Sequence, residues 1–373
     1  MSSLDPPDRG AEGRTEPTDL IDLIVLFGGQ SAEHDVSCTT AAHVLRAADP
    51  SRYRITPIGI GRDGRWALAT GAQRALAAGP DALPGRLDPA GDAVSATDVV
   101  GATAGRRTVV MPLLHGPMGE DGTVQGLLEL ADVAYVGSGV LGSSLSMDKA
   151  MAKQVLTANG IAQARHRAFR EHDITPGLPA SLVDELGLPL FVKPANMGSS
   201  VGVTKPKTVE EVRDAIEVAL TYDEWVVVEE AITGREIEVA VLGNLEPRAS
   251  VPGEIVPGAE FYSYADKYVD DGSQAIIPAA LSAVATDEVR RLAVEVFRVL
   301  RCDGMARVDF FYEDVPGGRG FLCNEVNTIP GFTPISMYPK LWIASGLSYR
   351  DLIDELVRLA LDRHARRRRN TIH

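Results

Sequence analysis

The chain contains 373 residues, of which 45% are hydrophobic and 24% are charged, which is enough for two or three packed domains. The formal net charge of −14 argues against a general partner of nucleic acids or acidic membranes. No run of 18 apolar residues predicts a transmembrane helix. Three scattered cysteines, Cys38, Cys302 and Cys323, match neither a metal-binding spacing nor an even disulfide set, so a reduced, cytoplasmic protein is expected.

The N-terminal part of the chain is predicted to be a disordered leader followed by an α/β domain. Residues 1–20 are polar and rich in proline, glycine and acids, without the apolar core of a signal peptide. Between residues 21 and 149, apolar runs such as LIDLIVLFGG and RTVVMPLLHG alternate with helical patterns such as SCTTAAHVLRAA and TVQGLLELAD. This alternation is typical of a parallel sheet covered by helices.

Two further regions follow. Residues 150–233 contain the strand patterns PLFVKP, VGVTK and EWVVVEEAI, and residues 234–365 contain EIEVAVLG, the helix DEVRRLAVEVFRVL and two final strands. Residues 253–279 show no regular pattern, and so long a loop within a compact domain is typical of an active-site lid. The basic residues at 366–373 are predicted to form a solvated end.

The segment GMARVDFFYEDVPGGRGFLCNEVN contains a candidate metal site. Two strand-like runs flank the turn signal DVPGG, which predicts an antiparallel hairpin. A turn centred on Gly317 places Asp309 opposite Glu325 and Arg307 opposite Asn327, all on one face because side chains alternate along a strand. Two carboxylates and an amide oxygen are hard ligands that suit Mg²⁺. The alternative is a structural ion pair of Arg307 with the two carboxylates.

A magnesium site of this kind usually also holds substrate phosphates, and FVKPANMGSSVGVTK offers groups for them. Lys193 ends a strand and supplies a positive charge. The turn that contains Ser199 and Ser200 supplies backbone N–H groups and hydroxyls, and the return strand is predicted to begin at Val201. An ordinary Gly-Ser hairpin loop fits the same residues equally well. The motif GxxxxGK[ST] is absent, so a P-loop is excluded.

The segment EWVVVEEAITGREIEVAV predicts a slot for adenosine. Glu229 can accept a hydrogen bond from the exocyclic amine through its side chain or a neighbouring carbonyl, and Glu236 can bind the ribose hydroxyls. Solvated carboxylates at a strand edge are the alternative explanation.

Two loops of the first region offer substrate contacts at the carboxyl edge of its sheet. FGGQSAEHDVS lacks GxGxxG, so a dinucleotide site is not supported, and Glu33 supplies a carboxylate instead. LLHGPMGEDGTVQG places His115 at the end of another strand, although a lone loop histidine more often has only structural hydrogen bonds.

These segments occur in one order and together resemble the D-alanine–D-alanine ligase family of the ATP-grasp superfamily. The resemblance covers roughly residues 23–360 and rests on GGQSAEHDVS, HGPMGEDGTVQG, YVGSGVLGSSLSMDK, VKPANMGSSVGV, VEEAITGREIEVAVLG, EFYSYADKY, ARVDFF and NEVNTIPGFTPISMYP. It implies a three-domain ATP-grasp fold, with the N-terminal parallel α/β domain followed by two α+β domains that hold ATP between them. It also implies that ATP phosphorylates the carboxylate of one D-alanine and that the amine of a second attacks this acyl phosphate, for peptidoglycan synthesis.

The resemblance assigns roles to individual residues. Those that resemble ligands of two Mg²⁺ ions, for which Mn²⁺ can substitute, are Asp309, Glu325 and Asn327. Those that resemble ATP contacts are Lys149, Lys193, Ser199, Ser200 and Lys267 at the phosphates, Glu229, Glu230 and Ile232 at adenine, and Glu236 at ribose. Those that resemble substrate or catalytic contacts are Glu33 at the ammonium of the first D-alanine, His115 near it, Ser336 at the carboxylate of the second, and Arg307 with the Gly331 amide as oxyanion donors. The family also suggests a homodimer.

Two departures from the family pattern are small. Met197 stands before Gly198, where some relatives carry an acidic residue, and Cys323 lies within the metal strand. Because Cys323 precedes Glu325 by two residues, its thiol is expected on the same face, near the metal. Neither departure removes a required group.

Two rival functions are weaker. An ATP-grasp ligase for another carboxylate would lack the set of Tyr268, Ser199 and Glu33, and a non-enzymatic nucleotide-binding module would lack the metal set. Tyr268 resembles the lid tyrosine that hydrogen-bonds Ser199. Because its phenol is uncharged, the expected product is a dipeptide, whereas a histidine there would favour an ester with D-lactate.

Overall fold

The computed structural model describes residues 20–101, 107–256, 258 and 274–368. Most of the predicted leader, most of the predicted lid, including Lys267 and Tyr268, and the last five residues therefore lie outside the described residues. Within the described ranges, no helix combines the length and the apolar character that crossing a membrane requires.

Six strands form the first sheet: β1 Ile21–Gly28, β2 Tyr53–Ile60, β3 Trp66–Leu68, β4 Asp92–Ala93, β5 Thr108–Pro112 and β6 Ala134–Tyr135. Their order is β4-β3-β2-β1-β5-β6. β1 pairs in parallel with β2 and β5, and β5 pairs in parallel with β6. The short strands β3 and β4 add an antiparallel edge. The predicted parallel sheet is confirmed, with this edge as an addition.

Helices cover both faces of the first sheet. They are α1 His34–Ala47, α2 Thr70–Ala78, α3 Ala96–Gly101, α4 Thr123–Leu130 and α5 Val140–Met147, with a 3₁₀ turn at Pro80–Ala82. Successive residues of β1 enter different cores: Leu23 and Val25 pack with α1, whereas Ile24 and Leu26 pack with α3 and α4. Burial on both faces explains why β1 is a continuous apolar run.

The second sheet is small and antiparallel. Its strands are β7 His166–Arg170, β8 Leu190–Pro194 and β9 Trp225–Glu230, in the order β7-β9-β8. Its helices are α6 Lys149–Ala158, α7 Leu178–Leu186 and α8 Val209–Leu220, with a 3₁₀ turn at Glu171–Asp173. The Thr208 side chain accepts a hydrogen bond from the Glu211 amide at 3.2 Å and so caps the start of α8.

The third sheet is antiparallel and carries the predicted hairpin. Its strands are β10 Arg235–Gly243, β11 Arg248–Ala249, β12 Gly253–Val256, β13 Gln274–Ile276, β14 Gly304–Glu313 and β15 Gly320–Asn327. The order is β13-β12-β10-β14-β15, with β11 also paired to β10. Three helices complete the described fold: α9 Ala283–Val299, α10 Met337–Ala344 and α11 Tyr349–Arg368.

Two local predictions were wrong. The return strand expected from Val201 is a series of turns in which only Thr204 forms a bridge, to Val192. The segment 253–279, predicted to be irregular, begins and nearly ends in strands, because β12 and β13 pair with each other. Such short strands depend on a partner that the local sequence does not specify.

The C-terminal helix α11 returns to the first sheet. Leu352, Ile353 and Leu356 share one buried cluster with Leu23 and Val25 of β1. The helix continues to Arg368, and Arg367 forms an ion pair with Glu129. Arg366 and Arg367 are therefore helical and ion-paired, with Asp303 and Glu129, where a solvated end had been predicted.

Candidate active site

A cavity of about 640 Å³ opens between the first sheet and the β14–β15 hairpin, and a second of about 110 Å³ continues from it between the second and third sheets. We call the two together the cleft. The predicted residues that line the larger cavity are Glu33, His115, Lys149, Ser199, Arg307, Glu325, Asn327, Gly331 and Ser336. Those that line the smaller one include Lys193, Ser200, Glu229, Glu230, Glu236 and Asp309. Ile232 lines neither cavity.

The hairpin pairs Asp309 with Glu325 and Arg307 with Asn327, as predicted. The turn itself is not centred on Gly317, because Glu313 pairs with Gly320. A β-bulge opposite the step from Asp309 to Phe310 accommodates Asn324 as an extra residue and restores the predicted pairs.

The bulge also overturns the expectation for Cys323. Because Asn324 is an extra residue, Cys323 lies opposite Phe310 and packs with Phe310 and Val326 in the core. It is 1% exposed, and burial raises the pKa of its thiol to about 12. Cys323 therefore does not face the cleft, and no thiol lies beside the candidate metal ligands.

Arg307 is the electrostatic centre of the hairpin. Its Nε and Nη2 donate to the two Asp309 oxygens at 2.8 and 2.7 Å, and its Nε lies 3.1 Å from Glu238 Oε2. Burial alone would lower the Arg307 pKa, but Asp309, Glu238 and Glu325 raise it well above its usual value. Of the ion pairs that the sequence left as an alternative, the one between Arg307 and Asp309 is therefore present, and Glu238 provides the second partner of Arg307.

The donor set fits a hard divalent cation. Three carboxylates, of Glu238, Asp309 and Glu325, surround the Arg307 guanidinium, and Asn327 Nδ2 donates to Asp309 Oδ2 at 3.0 Å. A magnesium ion would balance the excess negative charge and take the amide oxygen of Asn327. In the ranges that the structure describes, no group of three His, Cys, Asp or Glu side chains is arranged so that it could hold a metal ion by itself. Phosphate oxygens would therefore have to complete the coordination.

A buried lysine pair holds Glu229. Lys193 Nζ donates to Glu229 Oε2 at 2.9 Å, and Lys153 Nζ lies 3.1 Å from Oε1. Burial would raise the Glu229 pKa, but the two ammonium groups hold it at about 2. Sequence reasoning missed Lys153, although it follows Lys149 by four residues on α6 and so lies on the same helix face.

The carboxylates expected at adenine already have protein partners. Glu230 accepts from Arg165 Nε at 2.8 Å and from Arg319 Nη1 at 2.6 Å, and Glu229 is only 2% exposed. Glu229 is therefore not a solvated edge carboxylate.

The turn after β8 reaches across to the first sheet. Ser199 Oγ donates to Glu33 Oε1 at 2.5 Å, and Glu33 lies at the N-cap position of α1. Ser199 and Ser200 have left-handed φ angles of 49° and 58°, which are uncommon for residues other than glycine. Lys149 Nζ donates to the carbonyl of Met197 in the same turn at 2.6 Å. Burial lowers the pKa of Lys149.

The loop after β5 contributes two buried groups. His115 Nδ1 lies 2.9 Å from the Ile329 carbonyl oxygen, and Glu120 Oε1 accepts from the Gly116 amide at 2.7 Å. Burial and the nearby Glu33 carboxylate raise the Glu120 pKa to about 8. Sequence reasoning missed Glu120, although it lies in the same motif as His115.

The last predicted residues lie on the loop before α10. Ser336 is the N-cap residue of α10, and its Oγ lies 2.8 Å from Thr333 Oγ1. Gly331 is adjacent, since a Cβ atom on it would lie 3.1 Å from Ser336 Oγ. A ligand at this loop would therefore meet a hydroxyl and an accessible backbone amide together.

A parallel α/β domain followed by two antiparallel sheets, with a cleft of lysines and carboxylates between them, defines the ATP-grasp class of ligases. Residues 22–138 match the family "D-ala D-ala ligase N-terminus", and residues 155–358 match "D-ala D-ala ligase C-terminus". The chain belongs to the D-alanine–D-alanine ligase family. Its activity is the ATP-dependent joining of two D-alanines, a step of peptidoglycan precursor synthesis.

Individual relatives agree with this assignment. The chain is 48% identical to D-alanine–D-alanine ligase A of Bradyrhizobium diazoefficiens, over 94% of this chain and 97% of that protein. It is 45% identical to the D-alanine–D-alanine ligase of Paenarthrobacter aurescens, over 91% and 95%. Among solved structures, it resembles the D-alanine–D-alanine ligase of Coxiella burnetii (TM-score 0.80, 38% identity, coverage 95% and 97%). It also resembles the VanG D-Ala:D-Ser ligase of Enterococcus faecalis (TM-score 0.77, 35% identity, coverage 91% and 99%).

Proposed function

We propose that the cleft divides the ligation between its two cavities, with ATP in the smaller and both D-alanines in the larger. The observation that carries this proposal is that Lys149, Ser199, Arg307 and Glu325 line both cavities. A γ-phosphate at this junction would meet a substrate carboxylate there, as phosphoryl transfer requires.

On the nucleotide side, Lys149 and Lys193 bind phosphates, and Glu236 binds the ribose. The Glu229 carboxylate fixes Lys193 at 2.9 Å, so the ammonium is held in place before ATP arrives. Asp309, Glu325 and Asn327 would hold Mg²⁺, or Mn²⁺ in its place, and bound ions would screen the negative charge between phosphate and carboxylate.

On the amino-acid side, Glu33 binds the ammonium of the first D-alanine and Ser336 binds the carboxylate of the second. The first carboxylate attacks the γ-phosphorus and displaces ADP. The neutral amine of the second D-alanine then attacks the acyl carbon, and phosphate leaves. Arg307 and the Gly331 amide donate hydrogen bonds to the oxygen on which charge builds, where fixed donors are worth more than water.

The test uses the purified full chain with ATP, Mg²⁺ and D-alanine, alone and mixed with D-serine or D-lactate. Mass spectrometry should find mostly D-alanyl-D-alanine at each pH from about 6 to 9, and L-alanine should give no product. A Tyr268→His variant should shift products towards the D-lactate ester, because its side chain can become cationic near neutrality. Mainly D-Ala–D-lactate or D-Ala–D-Ser from the unmodified chain would refute the expectation that the second subsite prefers D-alanine.

The proposal also covers the domain organisation and the oligomeric state. Residues 21–149, 150–233 and 234–365 act as three domains of a cytoplasmic homodimer, as the family resemblance suggests. Light scattering of the purified chain at micromolar concentration tests the dimer, for which a mass near twice 39.8 kDa is expected.

A further inference from the structure

Ile329 is held at both of its polar backbone groups by the loop that follows β5. Its carbonyl oxygen lies 2.9 Å from His115 Nδ1, and its amide donates to the Glu120 carboxylate. Ile329, His115 and Glu120 are 3%, 5% and 8% exposed, so water has little access to replace either bond. Ile329 lies two residues after the candidate metal ligand Asn327 and two residues before the proposed oxyanion donor Gly331.

The bond from His115 determines its tautomer. A carbonyl oxygen only accepts hydrogen bonds, so Nδ1 carries the hydrogen and Nε2 of the neutral ring does not. Among the residues that the structure describes, Nε2 has no hydrogen-bond partner. The hydrogen bond that this ring makes is therefore directed at the protein backbone.

The loop that holds Ile329 is itself rigid. Glu120 Oε1 accepts from the Gly116 amide at 2.7 Å, and Gly116 has a left-handed φ of 76° that favours glycine. On the other side, Pro330 has a restricted φ, so few torsions remain between Ile329 and the Gly331 amide. If the backbone of Ile329 shifted, the Gly331 amide would therefore shift by nearly the same distance.

We propose that His115 and Glu120 are positioning residues that fix the backbone of Ile329, and through it aim the Gly331 amide at the reacting carbon and hold Asn327 at the metal site. This inference rests on the proposed roles of Gly331 and Asn327. It gives His115 Nδ1 a role beside the contact with the first D-alanine that the family resemblance implied. Its advantage to the reaction is that a donor held in advance needs no reorganisation when charge develops.

Three variants of His115 separate the two roles, because asparagine and glutamine each mimic one ring nitrogen. His115→Ala should lower kcat by about 10–100-fold, since a misplacement of about 1 Å can cost 10²-fold. His115→Asn keeps a donor at the Nδ1 position and should restore most of the lost kcat. His115→Gln places its amide near Nε2 and should not. A contact of Nε2 with the first D-alanine would show instead in the KM for that substrate, which His115→Gln would preserve and His115→Asn would raise.

The opposite ranking, with His115→Gln active and His115→Asn inactive, would show that Nε2 contacts the substrate and would overturn the proposal. Equal activity of all three variants, or a loss confined to the KM for the first D-alanine, would overturn it as well. The product that the unmodified chain forms tests the proposed function, whereas the ranking of the three variants tests the positioning role of His115. A failure of the proposed function can therefore be distinguished from a failure of the positioning role.

A second measurement does not depend on turnover. Hydrogen exchange of the peptide spanning 326–332, followed by mass spectrometry, should be faster in Glu120→Ala and His115→Ala than in the unmodified chain. Glu120→Gln retains an acceptor oxygen and should restore slow exchange. Unchanged exchange in both alanine variants would mean that the loop does not hold Ile329.

Discussion

At the scale of single residues, the Asp309 carboxylate is bound by two side chains of the hairpin. Arg307 binds both of its oxygens and Asn327 binds one, while Glu325 lies opposite on the neighbouring strand. A cation must compete with the Arg307 guanidinium for this carboxylate. We expect Mg²⁺ to bind weakly without nucleotide, since magnesium usually uses substrate phosphates together with one or two carboxylates.

Asp309→Ala or Glu325→Ala should therefore abolish dipeptide formation at saturating ATP, because each removes a carboxylate that would hold the ion. Glu313→Gln provides the control, since Glu313 lies on the same strand but pairs with Arg319 outside the cleft. Phosphate release measures turnover, and circular dichroism checks the fold. Near wild-type turnover in either alanine variant would rule out the metal assignment.

Arg307→Ala should lower kcat by about 10²–10³-fold, the usual effect of losing one oxyanion donor, with little change in the KM for ATP. Arg307→Lys retains the charge but not the planar fork, so it should recover only part of the activity. Steady-state kinetics distinguishes the roles. If the KM for ATP alone rises, Arg307 is a phosphate clamp instead.

The ion pairs of Glu229 should make the free energy of unfolding depend on pH in the acidic range. Because the folded pKa is held at about 2, below the usual 4.5, the stabilisation is complete above about pH 4.5 and is lost as the pH falls towards 2. Urea unfolding of the wild type and Glu229→Gln should show the largest difference in free energy near pH 7 and a shrinking difference below about pH 4.5. A difference that does not vary with pH would contradict this.

At the scale of elements, the β-bulge at Asn324 decides which side chains of β15 reach the cleft. It leaves the Glu325 side chain facing the cleft and directs Cys323 into the core between α9 and the third sheet. Without the extra residue, Cys323 and Glu325 would share a face. The bulge thus keeps an oxidisable thiol away from a site built from oxygen ligands.

Thiol chemistry tests this arrangement. Cys38, Cys302 and Cys323 are buried, and burial raises their pKa values to about 11, 11 and 12. Ellman's reagent at about pH 8 should therefore react slowly with the native chain and rapidly with three thiols in denaturant. Fast reaction of native Cys38→Ala/Cys302→Ala protein would place Cys323 at an accessible surface.

At the scale of the whole molecule, α11 ties the C-terminal part of the chain to the first sheet. Arg363 is 4% exposed, its guanidinium carbon lies 4.0 Å from the centre of the Tyr135 ring, and its Nη1 lies 3.5 Å from Glu129 Oε1. Because the larger cavity lies between the first sheet and the hairpin, this contact helps to hold its two walls together.

Arg363→Met should lower the free energy of unfolding by about 2 kcal/mol, as expected for a desolvated cation–π contact. Arg358→Met is the matched control on the same helix, because Arg358 is exposed and pairs only with Glu355 and Asp362 among the described residues, and it should cost less than about 1 kcal/mol. Urea unfolding measures both. Equal losses would show that burial of Arg363 contributes nothing.

Local patterns in the sequence were sufficient for the longer regular elements and for the family. The apolar run of β1 and the alternation in β14 and β15 predicted strands, because burial on two faces or on one leaves a distinct spacing of apolar residues. The turn signal DVPGG predicted the hairpin, and the ordered motifs identified the family.

Only the tertiary structure decided which distant groups meet. The pairing of β12 with β13, the burial of Lys153 against Glu229 and the hydrogen bond between His115 and Ile329 each depend on a partner outside the local sequence. Nothing in the residues near each of them specifies that partner. These contacts form because buried polar groups need hydrogen bonds or opposite charges, and the folded chain brings such partners close together. The spacing of residues within one segment does not predict which distant group will be that partner.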